Sequence, residues 1–385
     1  MKIVDIAKKV QNMILNRKKP FFAMEVSEQR RILDAFPEPE DLIERSYFQY
    51  LCQMKQLPLI IRFIQNFVSI FWLPFYLLTN YKKKCKNDKP QNNVAIFITG
   101  LNDFSYIPES LKKEFNQIVY SGYSSLMIKS DDIDVIKKIF VRYWYKPYFV
   151  LKCIMKIGLY SKQICNYNPK AILTFGEFSF TSSILSFYCN HQNIKHINLM
   201  HGEKLYDIHD AFVEFDKYYV WDQHYVDLMI SLRANSEQFK IEVPRSVELE
   251  IDDYSKYEKE LTYYLGGETK NDLINLRINL LNTKIPIERI CLRYHPRYGD
   301  KQQIFSIFSG FQIENPIEVP LSESISKTRY VASLYSTVLY QAFVNGKEII
   351  IDDISNREKY KKLQDLKYIM IDKPHLLLSD LIKGN

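Results

Sequence analysis

The chain has 385 residues, enough for two or three domains that each bury a core. Hydrophobic residues make up 46% and charged residues 25%, which is ordinary globular usage and excludes a disordered chain or a protein with several membrane spans. Glycine occurs only 11 times and never as G-x-G, which excludes the glycine-rich phosphate loops of kinases and NAD-binding proteins. The net charge of +7 is spread along the chain, so a solvated surface explains it and nucleic acid is not expected as a partner.

The start of the chain, MKIVDIAKKV, lacks the apolar centre of a signal peptide. The six cysteines are scattered without a C-x-x-C pair, so they indicate neither a zinc site nor a disulfide framework. Both features favour a reducing compartment, and we expect a cytoplasmic protein.

Residues 57–79 form an apolar segment with a narrow polar stripe. The polar residues Arg62, Gln65, Asn66 and Ser69 follow helical spacing. The uncharged run is shorter than the roughly 20 residues that span a membrane, and Pro74 interrupts it. We therefore expect a helix that lies in the membrane interface, with a buried packing helix as the alternative.

A cluster of lysines follows this segment. Its members are Lys82, Lys83, Lys84, Lys86 and Lys89. Positive charge beside an apolar helix favours binding to an anionic inner leaflet. Residues 1–90 are thus predicted to be an N-terminal helical region, peripheral on the cytoplasmic face of the inner membrane.

After residue 90, short apolar runs alternate with helical stretches. Strands are predicted at residues 94–99, 126–129, 171–175, 196–200 and 218–221, with helices over residues 132–167, from residue 181 and from about residue 224. The polar residues 244–259 are predicted to be a linker. Beyond them, strands are predicted at residues 262–267, 289–294, 311–313, 329–333 and 348–352, with helices between them. This alternation predicts two α/β domains with parallel sheets, residues 91–250 and 260–385.

Ligands of such sheets lie at the carboxyl ends of the strands, so polar residues there are the candidate site residues. In the second domain the turn RYHPR follows a strand and supplies Arg293, His295 and Arg297 as donors for a phosphate. A surface turn with scattered cations is the alternative.

A second motif in this domain links a strand to a helix. Ser333 ends the strand, and Ser336 and Thr337 stand at the start of the helix, where hydroxyls and backbone N–H groups bind an anion. An ordinary N-cap is the alternative. Together with the RYHPR turn, this motif predicts a phosphate clamp.

In the first domain, His201 and Glu203 follow one strand and Glu177 follows its neighbour. We expect His201 or Glu203 to act as a general base and Glu177 to bind substrate. A loop turn with a solvated acid is the alternative for each. The remaining histidines show no ligand spacing, so no metal site is expected.

The second domain resembles the bacterial sialyltransferases of the two-domain GT-B type, especially the lipooligosaccharide and capsular group. The resemblance is carried by the H-P motif at His295, by Glu318-Val319-Pro320 and by Ser336-Thr337 in SLYSTVLYQA. It spans residues 289–352, and in the first domain it extends to the architecture only.

The resemblance implies a GT-B fold, in which two Rossmann-like domains face each other across a cleft. It implies an inverting transfer of sialic acid, or a related nonulosonic acid, from a CMP donor to a capsule, O-antigen or lipooligosaccharide acceptor, without metal or other cofactor. His295 would contact the donor phosphate and assist the departure of CMP, Ser336 and Thr337 would bind the same phosphate, and Glu318 or Glu323 would approach the nucleoside.

One departure from the family lies in the first domain. The acidic pair before glycine that is usual in the family is absent, and Met200-His201-Gly202 stands in its place. This turn also resembles the H-G turns of Kdo transferases and polyol-phosphate polymerases. A Kdo transferase or a CDP-polyol phosphotransferase is therefore an alternative, and a non-catalytic scaffold of a capsule assembly complex is an alternative from a different class.

Overall fold

The computed structural model describes residues 24–82, 93–100, 103–122, 126–249, 251 and 257–383. They fold into two compact units. The first holds the described residues up to His201 together with Tyr206–Glu242, and the second holds Gly202–Leu205 and the described residues from Val243 onward. The described helices among residues 1–90 belong to the first unit, and the boundary falls just before the polar stretch predicted to be a linker.

The first unit is an α/β layer structure with three helices ahead of its sheet. The helices are α1 (Val26–Asp34), α2 (Leu42–Lys55), α3 (Leu59–Asn80), α4 (Glu109–Glu114), α5 (Ile133–Tyr143), α6 (Pro147–Tyr167), α7 (Ser182–His191) and α8 (Gln223–Ser231). The strands are β1 (Val94–Ile98), β2 (Gln117–Ser121), β3 (Ala171–Thr174), β4 (Lys195–Leu199), β5 (Lys217–Val220) and β6 (Phe239–Ile241). All strands pair in parallel, in the order β2-β1-β3-β4-β5-β6.

Both faces of this sheet are buried, as the alternation of strands and helices predicts. Along β1, Ile96 and Ile98 join one apolar cluster, and Ala95 and Phe97 join a second cluster. Successive side chains of a strand point to opposite faces, so the two clusters lie on the two sides of the sheet.

Three details of the first unit differ from the sequence prediction. Residues 126–129 do not form a strand, and Ile128 makes only an isolated bridge with Tyr81. The edge strands β2 and β6 were not predicted, because β2 is only partly buried and β6 has three residues. The predicted helix over residues 132–167 is two helices, since Pro147 starts a new helix and disfavours helical backbone in the residue before it.

The second unit has the same layer structure. Its strands are β7 (Lys259–Tyr264), β8 (Ile290–Arg293), β9 (Gln312–Glu314), β10 (Thr328–Ser333), β11 (Glu348–Ile351) and β12 (Leu376–Leu377). Its helices are α9 (Lys270–Leu281), α10 (Lys301–Ile307), α11 (Leu321–Ser326), α12 (Thr337–Val344), α13 (Arg357–Asp365) and α14 (Ile369–Asp372). The strands are parallel in the order β12-β11-β10-β7-β8-β9. Counted within the unit, this is the 3-2-1-4-5-6 order of Rossmann domains, and the predicted fold class of two Rossmann-like domains is confirmed.

Helix α3 turns its polar stripe inward and its apolar side outward. Asn66 accepts a hydrogen bond from the backbone N–H of Tyr148 at the start of α6 (3.3 Å), and Ser69 and Tyr76 are buried. The outward residues are each at least half exposed. They are Leu59, Ile60, Phe63, Ile64, Phe67, Ile70, Phe71, Trp72, Phe75 and Leu78.

This exposure contradicts the alternative prediction of a buried packing helix, since such a helix would not leave its large apolar side chains in solvent. Among the described residues, α3 is the one helix long and apolar enough to cross a membrane by length and composition. Lys82 of the predicted basic cluster is exposed. Lys83, Lys84, Lys86 and Lys89 lie outside the described residues.

The cysteines depart in one respect from the sequence prediction. Cys52, Cys153, Cys189 and Cys291 are buried free thiols, but Cys165 takes part in a disulfide. Scattered spacing does not reveal such a bond, because pairing depends on the distance between two side chains in the fold.

Candidate functional site

Three turns meet at the carboxyl edge of the second sheet: the turn of His295, the Gly266-Gly267 turn and the loop that leads to Ser336. Strand β7 lies between β8 and β10, and the chain reverses direction across the sheet between β7 and β10, which is where open α/β sheets bind ligands. The turn Gly266-Gly267 follows β7. A Cβ atom at Gly267 would lie 3.9 Å from Tyr298 Cβ, and one at Gly266 would lie 3.9 Å from the carbonyl oxygen of Tyr335. The glycine turn therefore lies between the turn of His295 and the loop that leads to Ser336.

The turn after β8 fixes the orientation of the His295 ring. Its Nδ1 accepts hydrogen bonds from the backbone N–H groups of Arg297 (3.0 Å) and Tyr298 (3.2 Å). The Tyr298 ring lies against the imidazole, with 4.4 Å between ring centroids. Because Nδ1 is an acceptor, the neutral ring carries its proton on Nε2. His295 thus offers an Nε2–H donor at the carboxyl edge of the sheet.

The two arginines of this turn have different surroundings. The Arg293 guanidinium is buried and forms an ion pair with Glu314, which also pairs with Lys259. Burial by itself raises the pKa of Glu314, but hydrogen bonds from Lys259, Ser324 and Arg293 hold that pKa below its ordinary value. Arg293 therefore has a structural partner inside the domain, whereas Arg297 is exposed.

The three hydroxyl residues after β10 also differ. Ser333 is buried and donates to the carbonyl oxygen of Tyr264 (2.8 Å), so its hydroxyl ties β10 to β7. Ser336 is the N-cap of α12, and its Oγ accepts from the N–H of Val338 (3.2 Å). Thr337 is the first residue of α12. The structure therefore places Ser336 and Thr337, but not the Ser333 hydroxyl, at the helix start, whose first backbone N–H groups could hold an anion.

The two candidate nucleoside contacts lie in different places. Glu318 accepts from Asn315 Nδ2 (2.7 Å), and Asn315 in turn accepts from the hydroxyl of Tyr294, the residue before His295. Glu318 is thus connected to the turn of His295. Glu323 pairs with Lys327 (3.0 Å), which directly precedes β10, so this carboxylate is held toward the amino end of that strand.

In the first unit, the structure brings His201 and Glu177 together. Residues Thr174 and Asn198 are register partners in β3 and β4, and Glu177 and His201 each follow three residues later. Nδ1 of His201 lies 3.5 Å from Oε1 of Glu177. The Glu177 carboxylate is completely buried and accepts from Asn198 Nδ2 (2.9 Å).

The rest of the His201 ring lies between aromatic side chains. Ring centroids are 4.6 Å from Phe175 and 6.3 Å from Phe178, and about a third of the His201 side chain is exposed (32%). A carboxylate facing Nδ1 favours the tautomer with the proton on that nitrogen, which leaves Nε2 free of a proton. The arrangement fits a general base whose orientation is set by Glu177.

Glu203 belongs to the second compact unit. Its backbone N–H donates to Thr337 Oγ1 (3.3 Å), and the segment Gly202–Leu205 belongs to the second unit. His201 is therefore the candidate base that lies beside a buried carboxylate.

The sequence prediction missed Asn198 as a residue of the candidate site. Asn198 fixes the Glu177 carboxylate and accepts from the N–H of Gly176 (2.6 Å). A buried asparagine within the apolar strand HINL is the signal that marks such a position. No group of three or more His, Cys, Asp and Glu side chains in the part of the chain that the structure describes is arranged to hold a metal ion.

No protein-family model and no curated protein sequence matches the chain. Several solved structures are similar to it. A UDP-GlcNAc 2-epimerase from Neisseria meningitidis, bound to UDP-GlcNAc, is 13% identical with a TM-score of 0.43, over 70% of this chain and 85% of that chain. The wall teichoic acid polymerase TagF, soaked with CDPG, is 12% identical with a TM-score of 0.43, over 83% and 85%. A UDP-GlcNAc 2-epimerase from Methanocaldococcus jannaschii is 15% identical with a TM-score of 0.41, over 73% and 93%. The fold assignment rests on the two parallel sheets, which form the two Rossmann-like domains expected of a GT-B protein.

Proposed function

We propose that the chain is an inverting glycosyltransferase that transfers sialic acid, or a related nonulosonic acid, from a CMP donor to a hydroxyl of a bacterial surface glycan. The observation that carries the proposal is the meeting of His295, the Gly266-Gly267 turn and the Ser336-Thr337 helix start at one edge of the second sheet. A Rossmann sheet binds its ligand at this position, and these three elements supply the chemistry that a phosphate needs.

The second domain would hold the CMP phosphate. The Nε2–H of His295 and the first N–H groups of α12 would donate to its oxygens, and the exposed Arg297 would add positive charge. The glycines lack side chains, so the backbone would approach the phosphate closely. Fixed donors stabilise the charge that develops on the phosphate as the sugar leaves.

The first domain would supply the general base. His201 Nε2 would take the proton of the acceptor hydroxyl, and the hydroxyl oxygen would form a bond to the anomeric carbon while the bond from that carbon to the CMP phosphate breaks. The bonding electrons leave with CMP, so a single displacement inverts the anomeric carbon. Glu177 would stabilise the protonated His201 ring. We keep Glu203 as the runner-up base and assign no metal or other cofactor to the reaction.

We further propose that α3 attaches the protein to the cytoplasmic face of the inner membrane. Its ten outward apolar side chains would insert at the boundary of headgroups and acyl chains, with Trp72 near the headgroups. The lysines at residues 82–89 would lie against anionic lipids. This attachment suits an acceptor that grows on a lipid.

Donor hydrolysis by the purified protein tests the proposed donor. We expect CMP to be released from CMP-sialic acid and the His295→Ala variant to release it at least tenfold more slowly. His375→Ala is the matched control, because His375 lies in the same domain and bonds to the carbonyl oxygen of Lys373. Release of CMP that is the same in the His295→Ala variant would contradict the proposed donor site.

A CDP-polyol phosphotransferase is the second candidate. It is favoured by His201, which stands where the sialyltransferases have an acidic pair. The buried Glu177 carboxylate lies beside Nδ1 of this histidine. Incubation with CDP-glycerol and CDP-ribitol distinguishes the two candidates. Turnover of the CDP donors without turnover of CMP-sialic acid would reject the sialyltransferase and support the phosphotransferase. Absence of turnover with CMP and CDP donors, together with normal surface glycan in cells that carry His295→Ala, would favour the non-catalytic scaffold.

A further inference from the structure

A cavity of about 360 Å³ lies at the carboxyl edge of the first sheet. It is lined by Ile98, the last residue of β1, and by Thr174, Phe175 and Gly176 at the end of β3. In the strand order β2-β1-β3-β4-β5-β6, the chain reverses direction across the sheet between β1 and β3. The cavity therefore occupies the ligand position of this sheet, and nothing in the mechanism above uses it.

Two lysines of α6 reach this cavity. Lys152 and Lys156 are one helical turn apart, both line the cavity and both are partly buried. Burial, and after it the charge of Lys152, lowers the pKa of Lys156. Two ammonium groups held together in a partly dehydrated space repel each other, and an anion between them removes this repulsion.

Hydroxyl groups and a helix start face the same cavity. Ser179, Thr181 and Ser182 line it, and the hydroxyls of Ser179 and Thr181 lie 2.8 Å apart. Thr181 is the N-cap of α7, a helix of ten residues, and its side chain makes no capping hydrogen bond. The described lining residues include two lysines, five residues with hydroxyl groups and no aspartate or glutamate.

The cavity adjoins the proposed general base. Phe175 and Phe178 line it, and both rings also contact the ring of His201. A ligand in the cavity would therefore lie next to His201, on the domain that supplies the base. Phe180 and Leu185 add apolar walls suited to the carbon atoms of a sugar or of an anchor.

We propose that this cavity binds a phosphate or diphosphate group of the acceptor, with Lys152 and Lys156 as its cationic ligands. The role as an acceptor site rests on the proposed function, whereas the binding of phosphate does not. A diphosphate carries the negative charge that two lysines match, and a glycan built on a lipid or sugar phosphate presents such a group beside its sugar.

Titration calorimetry with inorganic pyrophosphate and with decyl diphosphate tests the cavity directly. We expect the double variant Lys152→Gln/Lys156→Gln to bind pyrophosphate at least tenfold more weakly. The Lys152→Arg/Lys156→Arg variant keeps both charges and should keep binding within about threefold. Lys162→Gln, on the same helix but outside the cavity lining, is the matched control and should not change the dissociation constant. Tighter binding of decyl diphosphate than of pyrophosphate would indicate a lipid-linked source, and equal binding would indicate a free or sugar-linked phosphate.

Two outcomes overturn the proposal. One is a dissociation constant for pyrophosphate that is the same in the native protein and in Lys152→Gln/Lys156→Gln. The other is a loss of CMP binding in that variant with no loss in His295→Ala, which would assign the donor phosphate to this cavity.

Hydrolysis of CMP-sialic acid, measured on the same preparations, separates this proposal from the proposed function. Lysine-dependent pyrophosphate binding without donor hydrolysis would keep the cavity and reject the glycosyltransferase. Donor hydrolysis together with pyrophosphate binding that is unchanged in the lysine variants would support the glycosyltransferase and reject the proposed phosphate site.

Discussion

Oε1 of Glu177 lies 3.5 Å from Nδ1 of His201, and the Glu177 side chain is completely buried. Asn198 holds the other carboxylate oxygen, so the position of the acid is fixed before any ligand binds. In the proposed reaction, the pair would act as a histidine base that its carboxylate orients. If it works this way, the two residues act as a unit, and their effects on the rate will not add.

The first prediction concerns this coupling. His201→Ala should lower kcat by about 10²–10⁴, and Glu177→Gln, which keeps the shape but removes the charge, should lower it by about tenfold or more. The double variant should be no slower than His201→Ala alone. Glu114→Gln, which removes a carboxylate that pairs with Lys195 and Lys217 in the same domain, is the control and should leave kcat unchanged. Additive losses in the double variant would show that Glu177 acts independently of His201.

The second prediction concerns the proton on His295 Nε2. In His295→Ala the affinity for CMP should fall roughly 10–100-fold, because a hydrogen bond to a charged group contributes about 1.5–3 kcal/mol. The variant His295→Gln retains a donor at similar reach and should recover part of the loss. Calorimetric titration with CMP measures both. An unchanged dissociation constant in His295→Ala would place the phosphate elsewhere.

The sequence predicts the motifs better than it predicts their partners. Alternating apolar runs indicate parallel sheets, and sheets of this kind place His295, Ser336 and Thr337 at one edge. The assignment of Arg293 as a phosphate ligand depended on which way its side chain points. Register pairs Arg293 in β8 with Glu314 in β9, and this pairing of residues 21 positions apart cannot be read from either strand.

The same limit applies to the first domain. The sequence places Glu177 and His201 each at a strand end, but only the pairing of Thr174 with Asn198 brings them within 3.5 Å. For α3 the sequence gives a narrow polar stripe and leaves open whether it faces water or protein. Asn66 and Ser69 bond to backbone carbonyls of their own helix, which lets the stripe pack inward.

The third prediction concerns the outward side of α3. Phe67 and Phe71 are 53% and 63% exposed, and Phe67→Ser/Phe71→Ser should weaken binding to vesicles of phosphatidylglycerol and phosphatidylethanolamine by at least tenfold. Ile317→Ser removes an apolar side chain of the second domain that is more exposed (77%) than either phenylalanine, and it should have no effect on cosedimentation. Vesicle binding that is unchanged in the phenylalanine variant would contradict membrane attachment through this face. If the native protein is a dimer and the Phe67→Ser/Phe71→Ser variant is a monomer, a second copy of the chain covers this side of α3.

The fourth prediction concerns the contact that holds α3 against α6. A Cβ atom at Gly158 would lie 2.5 Å from the hydroxyl oxygen of Tyr76, which is buried and has no hydrogen-bond partner among the described residues. Gly158→Ala should therefore lower the free energy of unfolding by about 1–3 kcal/mol through overpacking. In the Tyr76→Phe background the clash is gone, and the same substitution should be neutral or stabilising, because alanine favours a helix over glycine. Urea denaturation of the four proteins measures the coupling, and equal losses in both backgrounds would disprove the contact.

The fifth prediction concerns pH and the buried His196. Its ring nitrogens lie 3.0 Å from the Tyr160 hydroxyl and 2.8 Å from the Ser186 hydroxyl. Burial lowers the pKa of His196 from 6.5 to about 3. Between pH 6.5 and about pH 3, His196 therefore binds a proton in the unfolded chain but not in the folded chain. The stability that the neutral ring contributes is complete above pH 6.5 and is lost as the pH falls from 6.5 toward 3.

The expected loss is about 1.4 kcal/mol for each pH unit below 6.5. Trp72, Trp144 and Trp221 are the three tryptophans of the chain and all belong to the first unit, so their fluorescence during urea denaturation reports on the domain that holds His196. His196→Gln should be less stable at pH 7.5 but should lose about 1.4 kcal/mol less than the native protein on going to about pH 5.5. His191→Gln, at an exposed histidine of the same domain, should follow the native protein. The difference between the two pH profiles of the free energy of unfolding isolates the proton of His196 from those of the buried carboxylates. Parallel profiles for His196→Gln and the native protein would therefore show that His196 is not the group that titrates.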